Sequence, residues 1–477
     1  MVSVTHLTTD LAAIVGDEHV VTDAAACERL SQDLSLEPFA LADAVVAPGS
    51  ADEVAAVLAH ARERGLAIAV RAGGMSYTRS HVPTRAGTVL LDIRRLDAIL
   101  DCNPRDGHVT VQAGCRWETL YLALREHGVR TPFWGPLSGR VATVGGALSQ
   151  HALFLGFAGH GVSSRSVLGL DVVLADGTRV RTGSGAHRDA APFWRDFGPD
   201  LTGLFLGDSG AFGVKVAATL RLIPTPRVAV GVSFACEHVD GLLATLEAAA
   251  RTGVCSDLYG FDGPFNALLS GAGFSHLRGT PYSVHALIEA PAEAIAQASL
   301  ELVRREAGEH AREIQASLPL SIIADPFGSM RAIFRTQRPA VHLPTNAIVP
   351  WSSAAAAMEI HAEAFREHAA ALERHGIETW TLFAASPGAF NIEPALVLDD
   401  DLGRASRSPA AREAALAIRH DLSRRFDRLG AMHVQIGKYY DFLPKLLPGT
   451  RDLLERLKAT VDPDGTLAPG ALGLGEP

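Results

Sequence analysis

Residues 141–164, VATVGGALSQHALFLGFAGHGVSS, contain no Asp, Glu, Lys or Arg. An uncharged run of this length meets the length test for a membrane span. Its five glycines, with Ser149, Gln150, His151 and His160, argue against lipid. A stretch rich in glycine with polar punctuation instead suits backbone that lies close against a buried ligand. The chain is long enough to build such a pocket. At 477 residues it exceeds one ordinary core, and two or three packed units are expected.

Several functional classes fall away on composition. Hydrophobic residues make up 47% and charged residues 20%, as in globular proteins, and a net charge of -10 offers no basic footprint for nucleic acid. The cysteines at 27, 102, 115, 236 and 255 are scattered and form no CxxC pair, so reduced structural thiols are expected rather than zinc ligands. The first twenty residues lack the basic-then-apolar layout of a secretion signal, and a cytoplasmic location with no membrane partner is the expectation. A homodimer is the commonest assembly on symmetry grounds.

The amino-terminal half alternates helices and strands. Ser50 can cap a helix with Glu53 closing a capping box, and Val54, Val57, Leu58 and Ala61 share one face before Gly65. The apolar run LAIAV then reads as a buried strand leading into the loop RAGGMSYT. In a Rossmann fingerprint the glycines would open a helix, whereas GGMSYTRSHVPTRAG carries Pro83 and opens none. TVLLDI and HVTVQAG read as strands, Trp117–His127 as an amphipathic helix, and LGLDVVLADGTRVRTG as a hairpin turning at Asp176-Gly177. Pro224 and Pro226 mark a boundary. Beyond it, strand-then-helix stretches suggest a second domain over 227–430, a sheet with helices on one face. AMHVQIG reads as a strand of the tail, 431–477, and VLDDDLGR at 397–404 as a solvated acidic turn.

Five segments in order, RAGGMSYT, TVGGALSQHALFLGFAGHG, LDVVLADGTRVRTGSG, LFLGDSGAFGVKVAATLRLIPTP and LKATVDPDGTLAPG, resemble the vanillyl-alcohol oxidase and para-cresol methylhydroxylase family. The resemblance is strong over 40–226, good over the last fifty residues and weak between. It implies an α+β fold: a PCMH-type FAD-binding domain of two α+β lobes over 1–226, a substrate-binding cap domain with a mainly antiparallel sheet, and a C-terminal segment returning to the FAD domain. The loop with Arg71, Gly73, Gly74, Met75, Ser76 and Tyr77 would then cradle the FAD pyrophosphate, since a nest of N–H donors needs backbone that a Cβ would hinder. For Arg71 an ion pair is the competing role. Gly145, Gly146 and Gly161 would allow close contact, Ser163 or Ser164 would donate to the cofactor, and Gly213 and Val214 match the adenine end.

Departures from the family narrow the chemistry. Members that bind the flavin covalently through this loop carry histidine where this chain has Met75, and a thioether cannot form that bond. Noncovalent FAD is therefore expected, with His342, His375 and Tyr282 remaining as alternative points of attachment. GKYYDF places Tyr439 at the tyrosine of phenol-oxidising members and Tyr440 in place of their arginine. The HxGDGN element of metal-dependent hydroxy-acid relatives is absent, so no metal is expected. The resemblance implies an FAD-dependent oxidoreductase that takes hydride from a small alcohol or hydroxy acid to flavin N5. A redox-neutral lyase or synthase on the same fold, and an inactive flavin carrier, stand as alternatives.

Proton removal needs a positioned base. Candidates are His433, with an unperturbed pKa of about 6.5, Tyr439 as an orienting group, and Gln435, which would share a strand face with His433. Glu393 and Asn346, on second-domain strands, are candidates for touching substrate, with Tyr440. His160 could touch flavin or substrate. Buried packing competes with function at each of these.

Overall fold

The computed structural model describes residues 4–328, 340–399 and 408–475. It divides into two compact units. The first holds Met1–Ala152, Ser163–Pro224 and Gln435–Pro477, and the second holds Leu153–Val162 and Thr225–Val434. The uncharged stretch is thus split between units, with Leu153–Val162 in the second. The acidic run beyond residue 399 lies outside the described residues.

The first unit contains two main sheets. In one, Ala44–Val46, Thr88–Asp92 and Ala67–Arg71 run parallel, with the short Val20–Val21 antiparallel at one edge. Parallel strands are buried on both faces, which is why TVLLD is wholly buried. Val54, Val57, Leu58 and Ala61 of the helix Ala51–Glu63 pack on Ile68, Val89 and Leu91. Ser50 accepts from the Glu53 N–H, and Glu53 reaches one residue past the cap to accept from Gly49. The second sheet is antiparallel, in the order Ile99–Asn103, His108–Gln112, Val214–Arg221, Val167–Val173, Arg179–Arg181.

The tail is fastened to the first unit by a buried cation. Lys458 Nζ donates to Ala211 O at 2.7 Å, Leu467 O at 2.9 Å and Asp462 Oδ2 at 2.5 Å, which uses all three of its hydrogens. Ile68 then pairs with the tail as a parallel bridge, donating its N–H to Thr466 O and accepting from the Ala468 N–H.

The second unit is built on one eight-stranded antiparallel sheet. Its central strands are Val228–Cys236, Tyr282–Ala290, Asp257–Asp262, Glu378–Ser386 and Ala389–Asp399, in that order. One face carries Val232, Phe234, Leu258, Val284, Ala286, Phe383, Phe390 and Ile392 into a core with helices Val239–Arg251, Glu293–Gly308, Ala354–Glu367 and Pro409–Leu429. On the opposite face, Phe265 of the helix Gly263–Gly271 stacks on Phe261 at 4.3 Å. The helix Ala354–Glu367 ends at His368, whose ring is held by Asp421 at 3.0 Å, and a second helix, Ala369–His375, follows directly.

AMHVQIG is not a strand. Only Met432 makes a bridge, to Ile348, and the backbone then turns through positive φ at Gln435 (55°) and Gly437 (61°). Gln435 therefore does not share a strand face with His433, and the two residues belong to different units.

Candidate functional site

In the first unit, the strand Ala67–Arg71 ends in the glycine loop. The main-chain N–H groups of Gly73, Gly74, Met75 and Ser76 donate to no protein acceptor among the described residues. Successive N–H groups without partners form an anion-binding concavity. Gly74 sits at φ 70°, and a Cβ there would lie 2.4 Å from Arg71 Nη2. At Gly73 a Cβ would lie 2.4 Å from Val141 O, so this glycine is required by the backbone of 141–142 pressing on the loop. Arg71 is buried beside Asp92, 3.5 Å away, and Asp92 also binds Arg94.

Residues after the cradle are held by a polar network. Asp33 accepts from Ser76 Oγ at 3.0 Å and from the Arg79 N–H at 2.7 Å. Gln150 Nε2 donates to Ser80 and Ser209, and its buried Oε1 has no partner among the described residues. The tail packs directly on this loop. Lys438 donates its N–H to Thr78 O and its ammonium to Val82 O, and Gln435 Nε2 donates to Tyr77 Oη at 2.8 Å. A Cβ at Gly437 would lie 2.1 Å from Thr78 O, so only glycine permits this approach.

In the second unit, the strand Ala389–Asp399 carries a buried carboxyl with a perturbed proton affinity. Glu393 is 6% exposed, and burial pushes its carboxyl up to about 7, against the pull of an Asn346 N–H. Asn346 Nδ2 reaches Glu393 Oε2 at 3.3 Å and Asn391 Oδ1 at 2.5 Å. Asn346 Oδ1 accepts from the Val434 N–H at 3.2 Å. His433 lies between two oxygens, Asn346 O at 2.5 Å and Asp427 Oδ1 at 2.8 Å. A ring facing acceptors through both nitrogens offers no lone pair to a substrate proton.

Comparison with known proteins agrees with this geometry. Residues 42–183 match a family model described as an FAD binding domain. The glycolate oxidase subunit GlcD of Bacillus subtilis is 31% identical over 216 residues, 45% of this chain and 44% of that protein. The chain spans about half the length, or less, of the curated relatives it matches. In fold, 4-ethylphenol oxidase from Gulosibacter chungangensis superposes with a TM-score of 0.80 at 20% identity, covering 98% of this chain and 97% of that one. p-Cresol methylhydroxylase superposes with a TM-score of 0.81 at 17% identity, covering 98% and 96%.

Residues 42–183 form an FAD binding domain, and the chain has the PCMH-type fold.

FAD fits the first unit on the structure's own terms, because the loop presents four N–H donors without protein partners among the described residues, two of them on glycines where a Cβ would collide. The other residues singled out for the cofactor are placed as follows. Gly145 packs on Ala113, where a Cβ would lie 2.6 Å away, and Gly146 lies beside Thr143 and Ala72. Ser163 Oγ donates to Ala147 O, and Ser164 Oγ meets His151 Nδ1 at 2.8 Å. At Gly213 a Cβ would lie 2.4 Å from Val172, and the Val214 side chain is part of the core. Gly161, at φ 78°, follows the helix Phe157–His160 in the second unit, so His160 also lies there.

Tyr439 and Tyr440 lie in the first unit with their rings edge-to-face at 4.8 Å. His342, half-buried and pushed down to about 4 by desolvation, accepts from Trp380 Nε1 at 3.2 Å. Sequence reasoning missed Gln150, Tyr259 and Asn391. Gln150 carried a signal, being polar within an uncharged stretch. Tyr259 and Asn391 carried none, since their meaning depends on which strands become neighbours.

Proposed function

We propose that this flavoprotein is an oxidoreductase that oxidises a small alcohol or hydroxy acid, with Glu393 as the proton acceptor. FAD, when bound, supplies the acceptor for the two-electron hydride that leaves the substrate carbon. The chain's own residues do the rest. Glu393 receives the hydroxyl proton, which balances the conversion of H–C–O–H to C=O. Its carboxyl, raised by burial to about 7, is matched to proton transfer near neutral pH. Asn346 aims it, and His433, fixed by Asp427, holds the Asn346 backbone.

That buried, hydrogen-bonded carboxyl is the observation that carries the reading. The curated relatives support the reaction class. Gln435 and Tyr77 are assigned to orientation, because their mutual bond at 2.8 Å ties the tail to the loop. Tyr439 and Tyr440, of the first unit, are assigned to contact with substrate. Noncovalent attachment is supported by Met75 in the loop. Membership of the vanillyl-alcohol oxidase branch is supported by the two phenol-related folds. A cytoplasmic location is supported by five unpaired cysteines, four of them buried, and no described helix is long and apolar enough to cross a membrane.

The test is anaerobic reduction of the FAD-loaded protein by a panel of alcohols and hydroxy acids, wild type against Glu393→Gln. Bleaching that depends on Glu393 is expected. Flavin that no member of the panel bleaches would overturn the reading.

A further inference from the structure

Two buried polar atoms on the second unit's sheet stand on the same face. Tyr259 Oη and Asn391 Nδ2 are both buried without a hydrogen bond among the described residues. Tyr259 pairs in register with Ala384, and Ala384 pairs with Asn391. Paired residues of neighbouring strands share a face, and strands lie about 4.8 Å apart. Tyr259 and Asn391 therefore flank a single alanine, the smallest side chain that a strand position can carry apart from glycine. Glu393 is two residues from Asn391 and on the same face.

The orientation of Asn391 follows from a donor that cannot be mistaken. The Val434 main-chain N–H points at one atom of the Asn346 amide, which must be the oxygen. The amide nitrogen of Asn346 then faces Asn391, so Asn391 presents its oxygen to it and turns its own NH2 group away. A buried polar group without a partner is costly and rare, and two of them flanking one small side chain point to a ligand. Tyr259 is fixed as well, its ring stacked on His285 at 5.6 Å, and His285 is held by Ser233 at 2.8 Å and Ser283 at 2.9 Å.

The charge of this face restricts the ligand. Positions 257, 259, 261, 382, 384, 391 and 393 carry two carboxyl side chains, Asp257 and Glu393, and no Lys or Arg. Asp257 is spoken for in part by the N–H groups of Gly156 and Phe157. Two neutral donors beside a carboxylate suit an uncharged oxygen, because a second carboxylate would lack a counter-charge here and meet like charge instead.

We propose that Tyr259 Oη and Asn391 Nδ2 together hold the oxygen of an uncharged alcohol above Ala384, so that neutral alcohols are oxidised in preference to 2-hydroxy acids. This rests on the oxidoreductase reading and on Glu393 as the proton acceptor. Burial raises the Tyr259 phenol well above its ordinary value, which keeps it a donor throughout the working pH range. As the C–H bond gives up its hydride and Glu393 takes the hydroxyl proton, the oxygen left behind becomes a carbonyl that still accepts from both donors.

The experiment uses the FAD-loaded full chain and substrate pairs that differ only in charge, 1-phenylethanol against mandelate and 2-propanol against lactate. Anaerobic flavin reduction is followed for each, and acetophenone binding is measured by its perturbation of the flavin spectrum. Neutral members are expected to reduce the flavin at least roughly tenfold more effectively than their carboxylate partners. Tyr259→Phe is expected to weaken acetophenone binding roughly tenfold, the worth of one lost neutral hydrogen bond. Its FAD content and melting temperature should not fall, because the deleted hydroxyl has no protein partner among the described residues to lose. Carboxylates reducing the flavin better than their neutral partners, or Tyr259→Phe binding acetophenone as the wild type does, would overturn the inference. Flavin reduced by neither series would instead overturn the oxidoreductase reading on which it rests.

Discussion

Val434 donates its main-chain N–H to Asn346 Oδ1 at 3.2 Å, and this bond sets the direction of two more side chains. It turns the Asn346 NH2 group toward Asn391 and Glu393. An apparently plain stretch of backbone thereby decides which atoms of the buried sheet face can donate and which can accept a proton.

Replacing Glu393 by Gln is expected to lower the rate of flavin reduction by about 10²- to 10⁴-fold, the usual worth of a positioned general base. FAD content should be unchanged. The measurement is single-turnover reduction on matched, FAD-loaded samples.

The same carboxyl predicts a pH dependence of stability. Its folded value, about 7, lies above its ordinary value of 4.5, so the folded state holds the proton more tightly. Stability from this group is fully present below about pH 4.5 and is lost as pH rises toward 7, on the order of 3 kcal/mol in all. Activity runs the other way, rising as Glu393 deprotonates. Denaturant titrations of wild type and Glu393→Gln across this window should differ in slope, with the Gln variant flatter.

Removing the director of that carboxyl should show in the pH profile. Asn346→Ala leaves the Val434 N–H without its acceptor and deletes the N–H that favours ionised Glu393. The expected result is a loss of about 1–3 kcal/mol in stability and a rate–pH curve displaced to higher pH.

In the cradle, Gly73→Ala places a methyl carbon 2.4 Å from Val141 O, in a loop that must keep its N–H groups aligned. FAD affinity is expected to fall at least roughly tenfold, equivalent to about 1.4 kcal/mol. Gly388→Ala, where nothing lies within 4 Å, is the matched control and should bind FAD normally.

Lys458→Met removes the cation that joins Ala211, Asp462 and Leu467 and leaves Asp462 buried without its charge partner. A loss of about 3–5 kcal/mol is expected, read from chemical denaturation.

Much of the first unit was legible because its signals are local. Ser50 and Glu53 marked a helix start, Asp176-Gly177 a turn, and Gly73-Gly74 a loop that no helix could follow. AMHVQIG misled because its alternation of apolar and polar residues is that of a strand, while the bonds of Gln435 and Lys438 to the glycine loop pull the backbone into left-handed turns. His433 drew attention by residue type, yet its two nitrogens serve Asn346 O and Asp427. Tyr259 sits in the ordinary strand DLYGFD, and its hydroxyl gains meaning only when Ala384 and Asn391 arrive beside it from more than a hundred residues away. Glu393 was visible as an acid within an apolar strand, a local anomaly that burial then explains.

The most direct test of the account is anaerobic mixing of the purified, FAD-loaded protein with neutral alcohols across the pH range around 7, followed by acid precipitation of the same sample. The account predicts visible flavin absorbance that bleaches, at a rate that climbs with pH and levels off above about 7, in wild type but not in Glu393→Gln, with the flavin released into the supernatant. Flavin that bleaches equally fast in Glu393→Gln, or with no dependence on pH, would contradict it.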